Sequence, residues 1–355
     1  MPEAACYGGL AGAAAFLARP QLRRSSAGSA ARAQEAEPRA PGAEAFARRV
    51  LVRNGEAAAP WTTKDRLLKD HAGAYTTART VDGSHLFELS MHCSRLHRTA
   101  SSILDQEGPG AHAEARRFLD RAGPEGLKPL VRGEIGAALR YLDAAGGRAG
   151  GDFQVTMLLT WDGVGPHTPT GRGLDILTFV QPLPGVEAMV DVAAHRAERK
   201  NPTIKDVQWV SDRQGLEELQ RQTGVNEVIM YDATGAVTEG LQTNFFAVAK
   251  DGTVLTAPDD RVLAGTVRKV VLEVAQRHGI RVRLDCPNIR DLGQWDSCFI
   301  CSTSRLVKPI REIGAPEFSE RQSFPKEGSV AHRLEALVSE AVRDNSEPLR
   351  EPRSG

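Results

Sequence analysis

The chain has 355 residues, with 45 Lys plus Arg set against 45 Asp plus Glu, and it is 41% hydrophobic and 25% charged. That composition can bury a core and is long enough for two modest domains. The balanced charge gives no basis for nucleic-acid or membrane-surface binding, and no apolar run reaches the roughly 18 residues that a spanning helix needs.

Residues 1–45 differ in kind from the rest. They are rich in Ala, Gly, Ser and Arg, and Glu3 is their only acid before Glu35. The stretch reads as a plastid or mitochondrial transit peptide, or else as a disordered tail, which would leave the protein cytoplasmic. The five cysteines are odd in number and scattered, which suits reduced thiols.

Along the chain, "YTTARTV" alternates as a strand, "DG" is a hairpin turn and "SHLFELS" returns as its partner. "MHCSRLHRTASSIL" (91–104) has helical spacing, and 105–150 is polar, helical and broken by Gly and Pro. The strand "FQVTMLLTW" follows, then the loop "DGVGPHTPTGRG" and the strand "LDILTFVQPLP".

In the second half, "NEVIMYDATGAVTEG" and "NFFAVAKDGTVLTAP" read as hairpins. In "LAGTVRKVVLEVAQRHGI", Val267, Val270, Val271, Val274 and Ala275 fall on one helical face between Gly265 and Gly279. The strand "DSCFICST" carries Cys298 and Cys301, whose spacing sends them to opposite faces, so they are expected in the core and no metal site is expected. An amphipathic helix through Leu334 and Val338 ends the ordered pattern.

The fold class is thus mixed α/β (α+β) with hairpins, which excludes a doubly wound parallel sheet. The expected divisions are the tail 1–45, an N-terminal α/β domain 46–178, a larger domain 179–325, and a helix and tail 326–355.

Four features of the second half share one chemistry. Lys205 lies in "NPTIKDVQW", Glu239 closes the strand "AVTE", a helix starts at "LAGTVR", and Ser302-Thr303-Ser304 ends a strand. Singly these are a solvated lysine, an exposed strand end, a capped helix and a turn. Together they match pyridoxal phosphate, which needs an amine for its aldehyde, an acid for its ring nitrogen, and a helix start with hydroxyls for its phosphate.

The order of Lys, "VTEG…NFF", "LAGTVR" and the Ser/Thr strand resembles the fold-type IV pyridoxal-phosphate enzymes, the class IV aminotransferases. That group includes branched-chain and D-amino-acid aminotransferases and aminodeoxychorismate lyase. The likeness runs over about residues 70–315, including "GAYTTARTVDGSHLFELSMHCSRL".

It implies a two-domain architecture with Lys205 as the Schiff-base lysine and Glu239 as partner of the ring nitrogen. Arg95, Gly265, Thr266, Val267, Ser302 and Thr303 would hold the phosphate, and Asn244 would tie either cofactor or backbone. Tyr75, Thr77 and His167 would face the substrate. Thr266 and Val267 depart from the family's Gly-Ile-Thr-Arg order by exchanging hydroxyl and aliphatic. The loop with His167 and Arg172 lacks the spacing of the D-amino-acid enzymes.

The basic run His195, Arg196 and Arg199 is expected to be a solvated face, and Trp161 and Trp209 to be packing residues. The resemblance implies transfer of an amino group between an amino acid and a 2-oxo acid, in a homodimer. The alternatives are elimination of pyruvate from aminodeoxychorismate, which the likeness of "YTTAR" supports, and a non-catalytic binding module.

Overall fold

The computed structural model describes residues 48–58, 63–108, 110–147, 151–161, 171–185, 187–325 and 327–349. The expectations placed on the tail 1–45 and on His167 fall outside these residues.

The first sheet has seven strands. They are β1 (Val50–Arg53), β2 (Glu56–Ala57), β3 (Ala74–Val81), β4 (His85–Phe87), β5 (Phe153–Thr160), β6 (Asp175–Pro182) and β16 (Ser346–Pro348), in the order β16-β4-β3-β5-β6-β1-β2. The turn between β3 and β4 falls at the expected Asp-Gly: Asp82 and Gly83 take φ of 51° and 62°, and the N–H of Ser84 donates to Val81 O (3.2 Å) to close it. The return strand is shorter than expected, because Glu88 turns the chain at φ 53° and helix α2 (Leu89–Glu107) starts at Leu89, two residues early. This start lets Leu89, Cys93, Leu96, Ala100 and Leu104 bury along one face.

Helix α3 (Ala113–Ala144) packs beside α2 and is broken at Gly123, after which Pro124 restarts it. Below the sheet, the short helix α1 (Lys64–Lys69) sets Leu67 and Leu68 against Leu51, Tyr75 and Phe179. With both faces covered, β5 is buried at all eight positions.

Two boundaries differ from expectation. Strand β6 runs unbroken through residue 178 to Pro182, since all its positions pair with β5. The stretch beyond 326 also does more than form a helix and a tail, because β16 returns to pair with β4.

The second sheet contains β7 (Val190–Arg196), β8 (Glu227–Tyr231), β9 (Val237–Gly240), β10 (Asn244–Ala249), β11 (Val254–Leu255), β12 (Val282–Arg283), β13 (Trp295–Ser302), β14 (Leu306–Ala315) and β15 (Glu320–Ser323). Because β9 pairs with β10 as well as with β8, the strands β10-β13-β14-β7-β8-β9 close into a barrel. Val192, Ile229, Phe245, Cys298 and Ile300 cluster together on one face. On the other, Phe246, Phe299 and Cys301 meet helices α6 (Thr266–Arg277) and α7 (Val330–Ala341). Cys298 and Cys301 therefore lie on opposite faces, buried in separate clusters.

Gly73, just before β3, sits at φ 139°, and a Cβ there would collide with the carbonyl oxygen of Leu159 on β5. Its own carbonyl accepts the N–H of Val207, two residues after Lys205 in the chain. Gly73→Ala is expected to cost about 3 kcal/mol, read as a lowered urea midpoint at unchanged slope.

Candidate active site

Lys205 lies on the segment between β7 and the short helix α4 (Gln208–Asp212). Its backbone is pinned from the first sheet: its N–H donates to Thr99 Oγ1 of α2 (3.2 Å), and its carbonyl accepts the N–H of Tyr75 on β3 (3.1 Å). The side chain faces a cavity of about 140 Å³ between the two sheets, with Nζ 4.8 Å from the centre of the Tyr75 ring. Part of its surface remains open to that cavity, while protein encloses it on the other sides. Burial, followed by the charges of Arg95, Arg199, Lys64 and Arg213, pushes the ammonium's pKa well below the ordinary lysine value. The amine is thereby biased towards its neutral, nucleophilic form.

Glu239, the penultimate residue of β9, lies on the same cavity and is buried. Its Oε2 accepts the N–H of Leu263 (3.2 Å), and its Oε1 meets Arg199 Nη1 at 3.4 Å. Burial raises its pKa, and Arg199 opposes that shift. Asn244, directly across the strand pair from Glu239, ties backbone: its Nδ2 donates to Leu263 O (2.8 Å). Its Oδ1 lies so close to Gly265 that any Cβ there would overlap it, which explains the glycine.

At the other end of the cavity helix α6 begins at Gly265, whose lack of a side chain leaves the first turn without a side-chain cap. Arg95 is buried beside it and donates to Ala264 O (2.6 Å) and, more weakly, to Thr76 Oγ1 (3.4 Å). Burial lowers the pKa of this guanidinium to about 10, so it stays charged at neutral pH. The Thr76 hydroxyl also meets His92 Nδ1 (2.7 Å), which makes His92 a buried support behind Arg95.

Thr266 Oγ1 bonds Thr303 Oγ1 (2.8 Å) at the cavity wall, and Ser302 stands next to it. Val267 instead sends its side chain into the core with Val270 and Val271, and only its backbone is available at the helix start. The exchange of hydroxyl and aliphatic is therefore coherent: the polar group takes the cavity and the apolar one the core. Tyr75 and Thr77 line the wall from β3, and Thr77 Oγ1 is buried without a hydrogen-bond partner among the described residues.

One expectation is overturned. Arg199 is not on a solvated face: its side chain is 6% exposed, it pairs with Glu239, and it donates to Ile204 O. It also stacks over the Trp209 ring at 5.1 Å. Trp209 packs as expected and donates to Leu241 O (3.0 Å), but it borders the cavity too. Lys64, Arg213 and Arg305 were also missed. Arg305 immediately follows the Ser/Thr cluster, which was the one available signal; nothing local marks the other two.

A family model described as amino-transferase class IV matches residues 73–313, and the chain belongs to that family. Among curated relatives, it is 27% identical over 176 residues to the branched-chain-amino-acid aminotransferase of Escherichia coli K12, covering 46% of this chain and 56% of that one. It is 26% identical over 277 residues to the D-alanine aminotransferase of Listeria monocytogenes 10403S, covering 74% and 85%. The chain spans about half the length of the first curated relatives it matches. A solved structure described as a hypothetical aminotransferase from Mycobacterium tuberculosis, PLP-bound form, superposes with a TM-score of 0.62 at 17% identity, over 83% of this chain and 99% of that one. At that identity the match establishes the fold.

Class IV aminotransferases use pyridoxal phosphate, and the residues present fit it. An enclosed amine, a buried carboxyl, and an uncapped helix start beside a buried arginine occupy one cavity. Among the described residues, Arg95 Nε and Thr77 Oγ1 are buried around it with no hydrogen-bond partner. Such a donor set suits a ligand with a carbonyl, a basic ring nitrogen and a dianion.

Proposed function

We propose that this chain is a pyridoxal-phosphate-dependent aminotransferase acting on an amino acid and a 2-oxo acid. The observation that carries the reading is Lys205, an amine held towards neutrality in a cavity that also presents Glu239 and the start of α6. Lys205 would hold the cofactor covalently, and Glu239 its ring nitrogen. Arg95, the first turn of α6, Thr266, Ser302 and Thr303 would hold its phosphate. When bound, the cofactor supplies an aldehyde that condenses with amines and a ring that accepts the electron pair left on the substrate's α-carbon.

The chain's own residues do the rest. Lys205 Nζ, free once the incoming amine has taken its place, would be the base that takes the α-carbon proton and carries it onward. The Tyr75 ring at 4.8 Å favours Nζ while it carries that proton. The contacts from Thr99 and Tyr75 hold the lysine backbone in place during this exchange. Arg199 favours the ionised form of the Glu239 carboxyl, opposing the larger effect of its burial.

The same lysine could serve an elimination, but the relatives named above are all aminotransferases, and this favours transfer. The homodimer is part of the proposal and rests on the family alone.

The test is an absorbance spectrum of the full chain with pyridoxal phosphate, then borohydride reduction and peptide mapping. A visible band that borohydride bleaches, with the added mass on the peptide carrying Lys205, is the expected result. No band, or a label on other lysines only, would sink the reading.

A further inference from the structure

The groups that would hold the phosphate come from two helices, and these belong to different sheets. Arg95 is on α2, packed on β3 of the first sheet, and the open helix start at Gly265 is on α6, packed on β13 of the second. Apolar packing does not set one helix against the other. Leu89, Cys93, Leu96, Ala100 and Leu104 of α2 lie in one cluster, and the valines of α6 lie in another. Val81 and Phe87 of the first sheet reach the cluster of α6, but among the described residues none from α2 does.

Polar side chains make the connection. Arg95 Nη2 donates to Ala264 O (2.6 Å), just ahead of α6. Glu88, the N-cap of α2, precedes Arg95 by about two helical turns. Its Oε1 accepts a hydrogen bond from Lys269 Nζ (2.9 Å), and the N–H of Lys269 closes the first turn of α6 on Gly265 O (3.0 Å). The two contacts thus grip residues 264–269 from both ends. Glu88 is itself firmly placed. It is buried, its N–H donates to Asn345 O (2.8 Å), and Glu347 Oε1 accepts the N–H of Ser90 (3.0 Å) beside it.

The charge of Glu88 gives no reason for its place. A carboxylate within electrostatic reach of Arg95 opposes any anion that Arg95 would hold. Burying it also costs free energy unless it is paired. Its geometry supplies the reason. We propose that Glu88 and Lys269 are positioning residues: their ion pair sets the first turn of α6 against Arg95, so that the helix N–H groups and the guanidinium converge on one phosphate. The inference rests on the cofactor reading above and extends it to two residues that do not line the cavity.

Absorbance titrations of the full chain with pyridoxal phosphate and with pyridoxal, which lacks the phosphate, test it. The wild type is expected to bind the phosphate ester at least about a hundredfold tighter. Glu88→Gln and Lys269→Met are each expected to weaken pyridoxal phosphate by about tenfold and to leave pyridoxal unchanged. Lys269→Arg keeps a cation in reach of Glu88 and should retain the wild-type ratio. The sign for Glu88→Gln separates the two ways in which the carboxylate could act. If it acted by its charge alone, removing it would tighten phosphate binding; positioning gives the opposite. The substitution keeps the size of the side chain and leaves Lys269 on Glu273 Oε2 (3.2 Å), so no cation is stranded. Unchanged or tighter binding of pyridoxal phosphate by Glu88→Gln, an equal loss for both aldehydes, or a ratio lost in Lys269→Arg would overturn the positioning role alone. A wild type that binds the two aldehydes equally defeats the phosphate cradle beneath it.

Discussion

Lys205→Met is expected to abolish amino transfer, by roughly a thousandfold or more, and at the same time to make the protein harder to unfold at neutral pH. The first effect follows from the loss of the amine that would bond the cofactor and move the α-proton. The second follows from linkage. The native lysine has its pKa lowered well below the ordinary value, chiefly by burial, while in the unfolded chain it titrates near ~10.4. Between those values the unfolded state binds a proton that the native state does not, so the wild type gains stability as pH rises, by about 1.4 kcal/mol per pH unit for one such group.

Methionine carries no proton in either state and lacks that slope. The variant should therefore be the more stable at pH 7, with its advantage shrinking as pH climbs towards the unfolded value. Urea midpoints of both proteins from pH 7 to about 10 check it. An advantage that does not change with pH would mean that the amine is not held near neutrality by its surroundings.

Arg199→Leu carries the second large effect. The pair with Glu239 is almost completely enclosed, with side chains 6% and 5% exposed. Removing one partner of a buried pair leaves the other charge uncompensated, a loss of about 3–5 kcal/mol. The hydrogen bond to Ile204 O, which braces the residue before Lys205, goes with it.

The sign of the pH dependence is fixed by Glu239. Its native pKa already stands above the ordinary value because of burial, and Arg199 opposes that shift. Without the guanidinium the native carboxyl holds its proton to still higher pH, so the native state binds more protons than the unfolded one over a wider range, and stability falls as pH rises through it. The deficit of the variant should be largest near pH 8 and smaller near pH 5. Activity should fall by on the order of a hundredfold, since an acid that is itself protonated serves the ring nitrogen poorly. Chemical denaturation at both pH values and kcat/KM at neutral pH measure the two consequences.

Much of this is legible in the sequence. Local chemistry writes the hairpin at Asp82-Gly83, the helix between Gly265 and Gly279, and the opposed faces of Cys298 and Cys301. The residue types of Lys205, Glu239 and Arg95 in their order carry the resemblance. What stayed hidden depends on long-range contact. Arg199 reads as one more charge in a basic run until β9 brings Glu239 against it. Lys64 and Arg213 are ordinary helix-surface residues in sequence, and only the meeting of the two sheets turns them inward. The early start of α2 and the reach of β6 past residue 178 are likewise set by partners that lie far along the chain.

The pairing of β16 with β4 has a consequence for biosynthesis. The edge of the first sheet is completed by residues 346–348, made long after β4 at 85–87 has left the ribosome. At ordinary translation speeds the interval is on the order of tens of seconds, during which the nascent chain carries an open strand edge next to a growing hydrophobic layer. That edge is where a nascent copy would be most prone to pair with its neighbour on the same messenger, and the last few residues of the described chain are what close it.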